Sequence, residues 1–354
     1  MPRLASRRSL LIALLLAVLA LPAPAPAGTC RGLDGSFVQL TRAAALRPRA
    51  EWERLFADMA AIGVSQIFVQ WMHADGVAFY AEEPPNPDDV PMLDVLFDLA
   101  ERHGMRVWLG LAHDAGWWAG VDRARPAAEV EVFLARRRLA NAAVARALAP
   151  AVQGRASFAG WYVPDEVDDR NWLGAERTAL VADYLAALGR ELAELVPGAG
   201  IAVSGFAQGW GTPAQLADLW RTVTERAPLA LVLLQDGVGA GKLTLDDLPA
   251  YLPRLRAAVE PHGARLGAVV ELFDTTSAPD AATFTAVPAA LSRVERQLAI
   301  AWRETNGPVV GFSVPDYLSP FGGAAAGRAY AAYQAAVAGR TPCGPRPRAR
   351  SRGK

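Results

Sequence analysis

Two glutamates stand out among the acidic residues of this 354-residue sequence. Glu166 closes the aromatic-rich run Gly160-Trp161-Tyr162-Val163-Pro164-Asp165-Glu166, and Glu271 interrupts the apolar run Leu266–Phe273. A carboxylate in such surroundings is costly unless it is paired or hydrogen-bonded. Two of them facing one cavity have their pKa values pushed apart, so that one keeps a proton while the other stays ionised. Hydrolysis of a glycosidic bond uses such a pair. The plainer alternative is a pair of rim residues neutralised by arginines, and the placement of the two side chains decides between these readings.

Other polar and aromatic residues recur at the ends of short apolar runs. Gln39, Gln70, Gln235 and Asp236 are suited to holding sugar hydroxyls, with His113, Asp114 and Asp165 as further hydrogen-bonding candidates. Asp114, Asp165, Asp236 and Asp316 carry less weight singly, because loop aspartates often cap helices or close turns. Trp71, Trp117, Trp161, Tyr162 and Tyr317 share these positions, as do Trp118, Trp172 and Trp210. A flat ring offers an apolar platform to the C–H face of a sugar, and Trp and Tyr add a polar handle. Ordinary packing accounts for Trp52, Trp108, Trp220 and Trp302, and for part of the first group. His73, His113 and Asp114 could converge on a metal, but no His-x-His or His-Glu-x-x-His spacing supports them. His103 and His262 sit in similar helix-ending contexts and read as structural. The carboxylate pair itself calls for no cofactor and no metal. There is no Gly-x-Ser-x-Gly elbow of a serine hydrolase.

The elements that must position these residues alternate. Eight β-type runs occur at Ser36–Leu40, Gln66–Trp71, Arg106–Leu111, Phe158–Val163, Ile201–Phe206, Leu229–Leu234, Leu266–Phe273 and Val309–Val314. Most are continuously apolar, as parallel strands buried on both faces are. Helical patterns lie between them. Trp52, Leu55, Phe56, Met59 and Ile62 share one face, and so do Leu93, Leu96, Phe97 and Ala100. Thr212, Pro213 and Gln215 spell a capping box with proline in the first turn. A long helix is expected from Glu129 to Ala149 and an Ala-rich one from Gly327 to Val337. Eight strand-helix units without a second compositional block predict one α/β domain, a single (β/α)8 TIM barrel. An open doubly wound sheet is the alternative, and it lacks its Gly-rich phosphate loop after the first strand. In the barrel, catalytic residues gather at the C-terminal ends of the strands, where the residues above fall.

The charges balance at 36 basic and 36 acidic residues, and no basic stripe interleaved with aromatics argues for nucleic acid. Residues 1–27 read as a signal peptide: Arg3, Arg7 and Arg8, then the apolar run Leu10–Leu21, then small residues before Gly28. The run is shorter than the ~20 residues of a membrane span, so no stable anchor is expected after cleavage. Export to the periplasm or beyond the cell is the expected localisation. The barrel is expected over 28–343 and a disordered basic tail over 344–354. Cys30 and Cys343 lie near the two ends of that barrel domain, whose first strand and last helix are neighbours, and are expected to form a disulfide.

Gly35–Leu40, Phe68-Val69-Gln70-Trp71, Gly104-Met105-Arg106-Val107, Gly160-Trp161-Tyr162 through Glu166, Gln235-Asp236-Gly237-Val238-Gly239 and Val270-Glu271-Leu272-Phe273 resemble the glycoside-hydrolase-like barrels catalogued as domain of unknown function 4434. More distantly, the chain resembles retaining glycosidase barrels with an acid/base Glu ending strand four and a nucleophile Glu ending strand seven. Glu166 and Glu271 match those positions. Asp165 stands where that clan usually has Asn, and Asp316-Tyr317 where it often has Trp. The resemblance implies an exported glycoside hydrolase, retaining in mechanism, acting on a polysaccharide or oligosaccharide. The alternative is a non-catalytic carbohydrate-binding barrel serving polysaccharide export or assembly, since fold alone does not separate the two.

Overall fold

A computed structural model describes residues 32–81, 90–278 and 283–338. Residues 1–31, with the expected signal peptide and Cys30, and residues 339–354, with Cys343 and the basic tail, lie outside that description. Eight parallel strands close into a barrel in sequence order. They are β1 (Gly35–Val38), β2 (Gln66–Val69), β3 (Arg106–Gly110), β4 (Phe158–Asp168), β5 (Gly200–Phe206), β6 (Leu231–Gln235), β7 (Arg265–Glu271) and β8 (Val309–Phe312). The ring shuts where Gly35 pairs with Val310 and Ser36 with Gly311. Eight long helices lie between and after the strands: α1 (Arg49–Ala61), α2 (Met92–Arg102), α3 (Ala127–Val152), α4 (Ala175–Leu195), α5 (Pro213–Arg226), α6 (Leu248–Val259), α7 (Leu291–Glu304) and α8 (Ala324–Val337). No helix among the described residues is long and apolar enough to cross a membrane.

Successive strand residues face opposite sides of a sheet, and in this barrel the two sides have different jobs. Phe37, Phe68, Trp108, Tyr162, Ala202, Leu231, Leu233, Val269 and Val310 meet inside the cylinder. Their chain neighbours, such as Val38, Val107, Leu109, Trp161, Val163, Val203, Val232, Leu234, Val270 and Val309, pack outward into the layer shared with the helices. The expected capping box holds α5: Thr212 Oγ1 accepts from the Gln215 amide at 3.3 Å, and Gln215 Oε1 accepts from the Thr212 amide at 2.9 Å.

Strand β4 differs from the expected Phe158–Val163 by running on to Asp168. Its pairing with β5 shifts between Val163 and Val167. Pro164 supplies the cause, because it has no amide hydrogen and cannot continue a ladder. The irregular stretch carries Asp165 and Glu166. At the far end of the chain, the Tyr333 hydroxyl of α8 accepts from the Leu33 amide at 3.0 Å, and the Trp302 indole of α7 donates to the Gly32 carbonyl at 2.8 Å. These bonds tie the segment before β1 to the last two helices.

Candidate active site

The alternation of the strands decides which candidates point into the barrel at the strand ends. Tyr162 faces inward on β4, so Asp165 faces out and Glu166 in. Leu231 and Leu233 face inward on β6, which sends Gln235 in and Asp236 out. Val269 faces inward on β7, and Glu271 follows it two residues later. Gln39 and Gln70 continue the inward rows of Phe37 and Phe68.

Glu166 is half-buried and accepts a hydrogen bond from Gln235 Nε2 at 2.5 Å. Burial pushes its carboxyl up to about 7, against the pull of the Gln235 bond and the Lys242 charge. The charges of Asp168 and Glu271 add to the rise. Loss of hydration outweighs the bond and the cation at Glu166. Below it, the Tyr162 hydroxyl shares a 2.6 Å hydrogen bond with Ser204 Oγ. Burial first, and then the Glu166 charge, hold that phenol neutral, far above its ordinary pKa.

Glu271 is buried and has a different cradle. Its Oε2 accepts from the Ala240 amide at 2.7 Å, and the Gly239 amide adds a second backbone interaction. Burial raises its pKa, while these amides, Lys242 and Arg293 oppose the rise. The loop after β6 reaches the carboxylate only because residue 239 is glycine: a Cβ there would lie 2.1 Å from the Phe273 carbonyl oxygen and 3.0 Å from Glu271 Cβ. Asp236, on the outer side of the same wall, is pushed up to about 8 by burial and by the Glu271 charge. It accepts from Gln297 Nε2, from the Val238 amide at 3.2 Å and from the Glu271 amide at 3.4 Å. Burial raises both carboxyls, and the Lys242 and Arg293 charges act on Glu271 in favour of its ionised form.

The structure also brings a residue that the motif search passed over. The Lys242 ammonium lies 3.5 Å from the centroid of the Phe206 ring and interacts with the charges of Glu166, Glu271, Asp168 and Asp169. Its side chain is exposed by surface area, yet the atoms crowding the ammonium lower its pKa. A lysine in an arginine-rich chain, just beyond a glycine loop, was the available signal; only Lys354 shares its type. Asp168 was missed because β4 was expected to end before it. It accepts from Gln208 Nε2 at 2.6 Å and from Asn171 Nδ2 at 3.0 Å, and burial raises its pKa.

Around this centre, Gln39 Nε2 donates to Gln70 Oε1 at 2.6 Å. The Trp71 ring lies 4.4 Å from the His113 ring and anchors through its indole N–H to the Leu40 carbonyl at 2.6 Å. Burial lowers the His113 pKa, so a neutral imidazole is favoured. Half-buried Tyr317 packs at 5.2 Å on Phe273, which also meets Phe312 and exposed Phe284. Gln235 points into the barrel, where its amide donates to Glu166.

Other expected sugar contacts lie elsewhere, Tyr162, fully buried inside the cylinder, among them. Asp165 is buried against the helices, where it accepts from Arg137 Nε at 3.0 Å, Arg137 NH2 at 2.7 Å, Asn141 Nδ2 at 2.8 Å and the Tyr184 hydroxyl. Asp236 faces α7. Trp161 is fully buried in the outer layer beside Phe158. Trp117 is buried against Trp172 and Phe133, and its indole donates to the Glu166 carbonyl at 3.1 Å. These two rings support β4 from behind. Asp114 closes a turn through the Gly116 amide at 2.7 Å and sits 3.6 Å from Arg137. Of the rim tryptophans, Trp118 and Trp210 are the exposed ones, and Trp172 is fully buried. No group of three or more His, Cys, Asp or Glu side chains among the described residues is arranged to hold a metal ion.

The family model described as Domain of unknown function (DUF4434) matches residues 33–322. The chain belongs to this family. It is 26% identical over 240 residues to the uncharacterized protein YbcH of Escherichia coli K12, covering 67% of this chain and 75% of that one. A structure from Bacteroides thetaiotaomicron described as a putative alpha-L-fucosidase superposes with a TM-score of 0.67 at 18% identity, covering 89% of this chain and 98% of that one. The endo-beta-1,4-mannanase of Thermotoga petrophila superposes at 0.55 with 11% identity, over 80% of this chain and 68% of that one. At such identities the likeness is one of fold: both are barrels of the same architecture.

Proposed function

We propose that this chain is a retaining glycoside hydrolase acting on a polysaccharide or oligosaccharide outside the cytoplasm. The observation that carries the proposal is that Glu166 and Glu271 end inward rows of β4 and β7 and feel each other's charge. Burial raises both, Glu166 to about 7, and the Ala240 and Gly239 amides oppose the rise at Glu271. In this reading the Glu166 carboxyl gives its proton to the glycosidic oxygen as the Glu271 carboxylate attacks the anomeric carbon. The C–O bond breaks, the leaving sugar departs as an alcohol, and the glycosyl unit rests on Glu271 as an ester. Glu166, now ionised, takes a proton from water, which attacks the same carbon and frees Glu271. Gln39, Gln70 and the Tyr317 ring line the rim where sugar hydroxyls and C–H faces would rest. The glycosidases that share the fold support this reading, and the N-terminal pattern of residues 1–27 supports export.

The test is hydrolysis of a broad glycan panel with product configuration followed by NMR, on the parent and on Glu271→Gln. Retained configuration, with turnover lost and binding kept in the variant, is the expected result. Inverted configuration refutes the nucleophile role of Glu271. Glycan binding by the parent without any turnover replaces the enzyme with a binding barrel.

A further inference from the structure

A cleft opens among the connections after β3, β4 and β5, at the end of the barrel that carries Glu166. It has a volume of about 290 Å³ and is lined by Arg123, Asp169, Arg170, Asn171, Leu173 and Trp210. Trp210 is 54% exposed, unlike the rings that support β4. Two guanidinium groups lie over it, Arg123 at 4.7 Å and Arg170 at 5.4 Å from the ring. Arg170 reaches the carboxylate of Asp122 only at 3.8 Å, and Arg123 forms no ion pair with a described carboxylate. The one acid in the cleft, Asp169, is already engaged: it accepts from the Gln208 amide at 2.8 Å and from the Trp210 and Gly211 amides at 3.0 Å each.

The cleft is built rather than loose. Asn171 Oδ1 accepts from the Arg123 amide at 3.0 Å, and Arg177 bonds the carbonyls of Asn171, Val121 and Asp122. It is also linked to the candidate active site through hydrogen bonds. Gln208 gives its amide to Asp169 and its side chain to Asp168, whose charge acts on Glu166.

We propose that this cleft is a subsite for a sugar unit bearing a carboxylate, so that the substrate is a uronate-containing glycan. This rests on the hydrolase reading for the word substrate, but not for binding. An arginine stacked on an aromatic ring keeps its planar fork of N–H groups oriented and free at the edge, and that fork matches a carboxylate. The indole offers apolar surface to the ring that carries the acid. Arg123 pairs with no described carboxylate and Arg170 meets Asp122 only at 3.8 Å, which leaves cationic edge for one anion. A neutral glycan would leave Arg123 without an ionic partner.

The full chain is run in native gels containing polygalacturonate, alginate or hyaluronan, with neutral glucomannan and sulfated carrageenan as comparisons. The formal net charge of the chain is zero, so retardation does not follow from overall attraction. At least one uronate polymer retards the parent. Arg123→Ala/Arg170→Ala loses at least tenfold in affinity for it, with any retardation by glucomannan unchanged. Trp210→Ala weakens binding, and Arg123→Lys/Arg170→Lys, which keeps charge but not the fork, falls between parent and double alanine variant. All three sites are exposed, and unchanged thermal unfolding confirms that the variants are folded. Retardation by none of the uronate polymers, equal retardation of parent and double alanine variant, or carrageenan binding as strong as uronate binding overturns the proposal. Uronate retardation without hydrolysis of any glycan leaves the subsite standing and removes the hydrolase. Hydrolysis of neutral glycans without uronate retardation does the reverse.

Discussion

Glu166→Gln is expected to stabilise the protein at high pH while abolishing its acid chemistry. A carboxyl whose pKa rises on folding contributes stability that is fully present below its unfolded pKa and is lost as pH climbs through its folded value. For Glu166 those values are 4.5 and about 7. A rise of that size amounts to about 3 kcal/mol between the two protonation states. Part of it is already lost at pH 5, so between pH 5 and pH 9 the parent loses about 2.5 kcal/mol through this residue alone. Glutamine has no ionised form to desolvate, and its amide oxygen can still accept from Gln235. Urea unfolding of parent and variant across that pH range is the assay. Asp236, Glu271 and the rest titrate in both proteins, so the difference between the two curves reports residue 166 together with its charge coupling to Glu271, Asp168 and Lys242. The variant gains on the parent steadily from pH 5 to pH 9. Parallel curves, or a gap that narrows with rising pH, would refute the view that burial dominates at this carboxyl.

Further outcomes follow from the same geometry. The kcat/KM profile on any hydrolysed glycan falls on the alkaline side near pH 7 as Glu166 loses its proton, and Glu166→Gln removes about 10²–10⁴-fold of the rate for substrates with poor leaving groups. Lys242→Met moves both limbs of that profile to higher pH, since the ammonium lowers the pKa of Glu166 and of Glu271; an unshifted profile counts against its role. Gly239→Ala forces the loop off the Phe273 carbonyl and away from Glu271, lowering kcat by on the order of 100-fold with native circular dichroism, because small misplacements of reacting groups are that costly. Arg137→Met leaves buried Asp165 without its cation and costs about 3–5 kcal/mol in chemical denaturation.

The barrel was legible in the sequence because its signal is redundant. Eight apolar runs separated by helical faces leave few alternatives, and the missed boundaries are mostly one or two residues. Strand β4 is the exception, since Pro164 ends regular pairing without ending the strand. The site was harder, for a reason that concerns neighbours. Asp165 with Glu166, Gln235 with Asp236, and Trp161 with Tyr162 are adjacent pairs in which one member faces the cavity and the other the helices. Chemistry by type and position treats the members alike. The two-residue alternation separates them, and it was available: Tyr162 and Glu166 share a parity, as do Leu233 and Gln235. What no alternation foretells is a contact made by a loop, and Lys242, Gln208 and the amides of Gly239 and Ala240 enter the site that way.

That Glu271 on β7 is gripped by the turn following β6 has a bearing on redesign. Grafting a foreign segment at 237–241 would discard the two N–H donors that favour the charge of the Glu271 carboxylate. The exposed rings of Trp118 and Trp210 carry no such duty and are safer positions to vary. Libraries built on this scaffold should therefore change those side chains and leave the sixth connection alone.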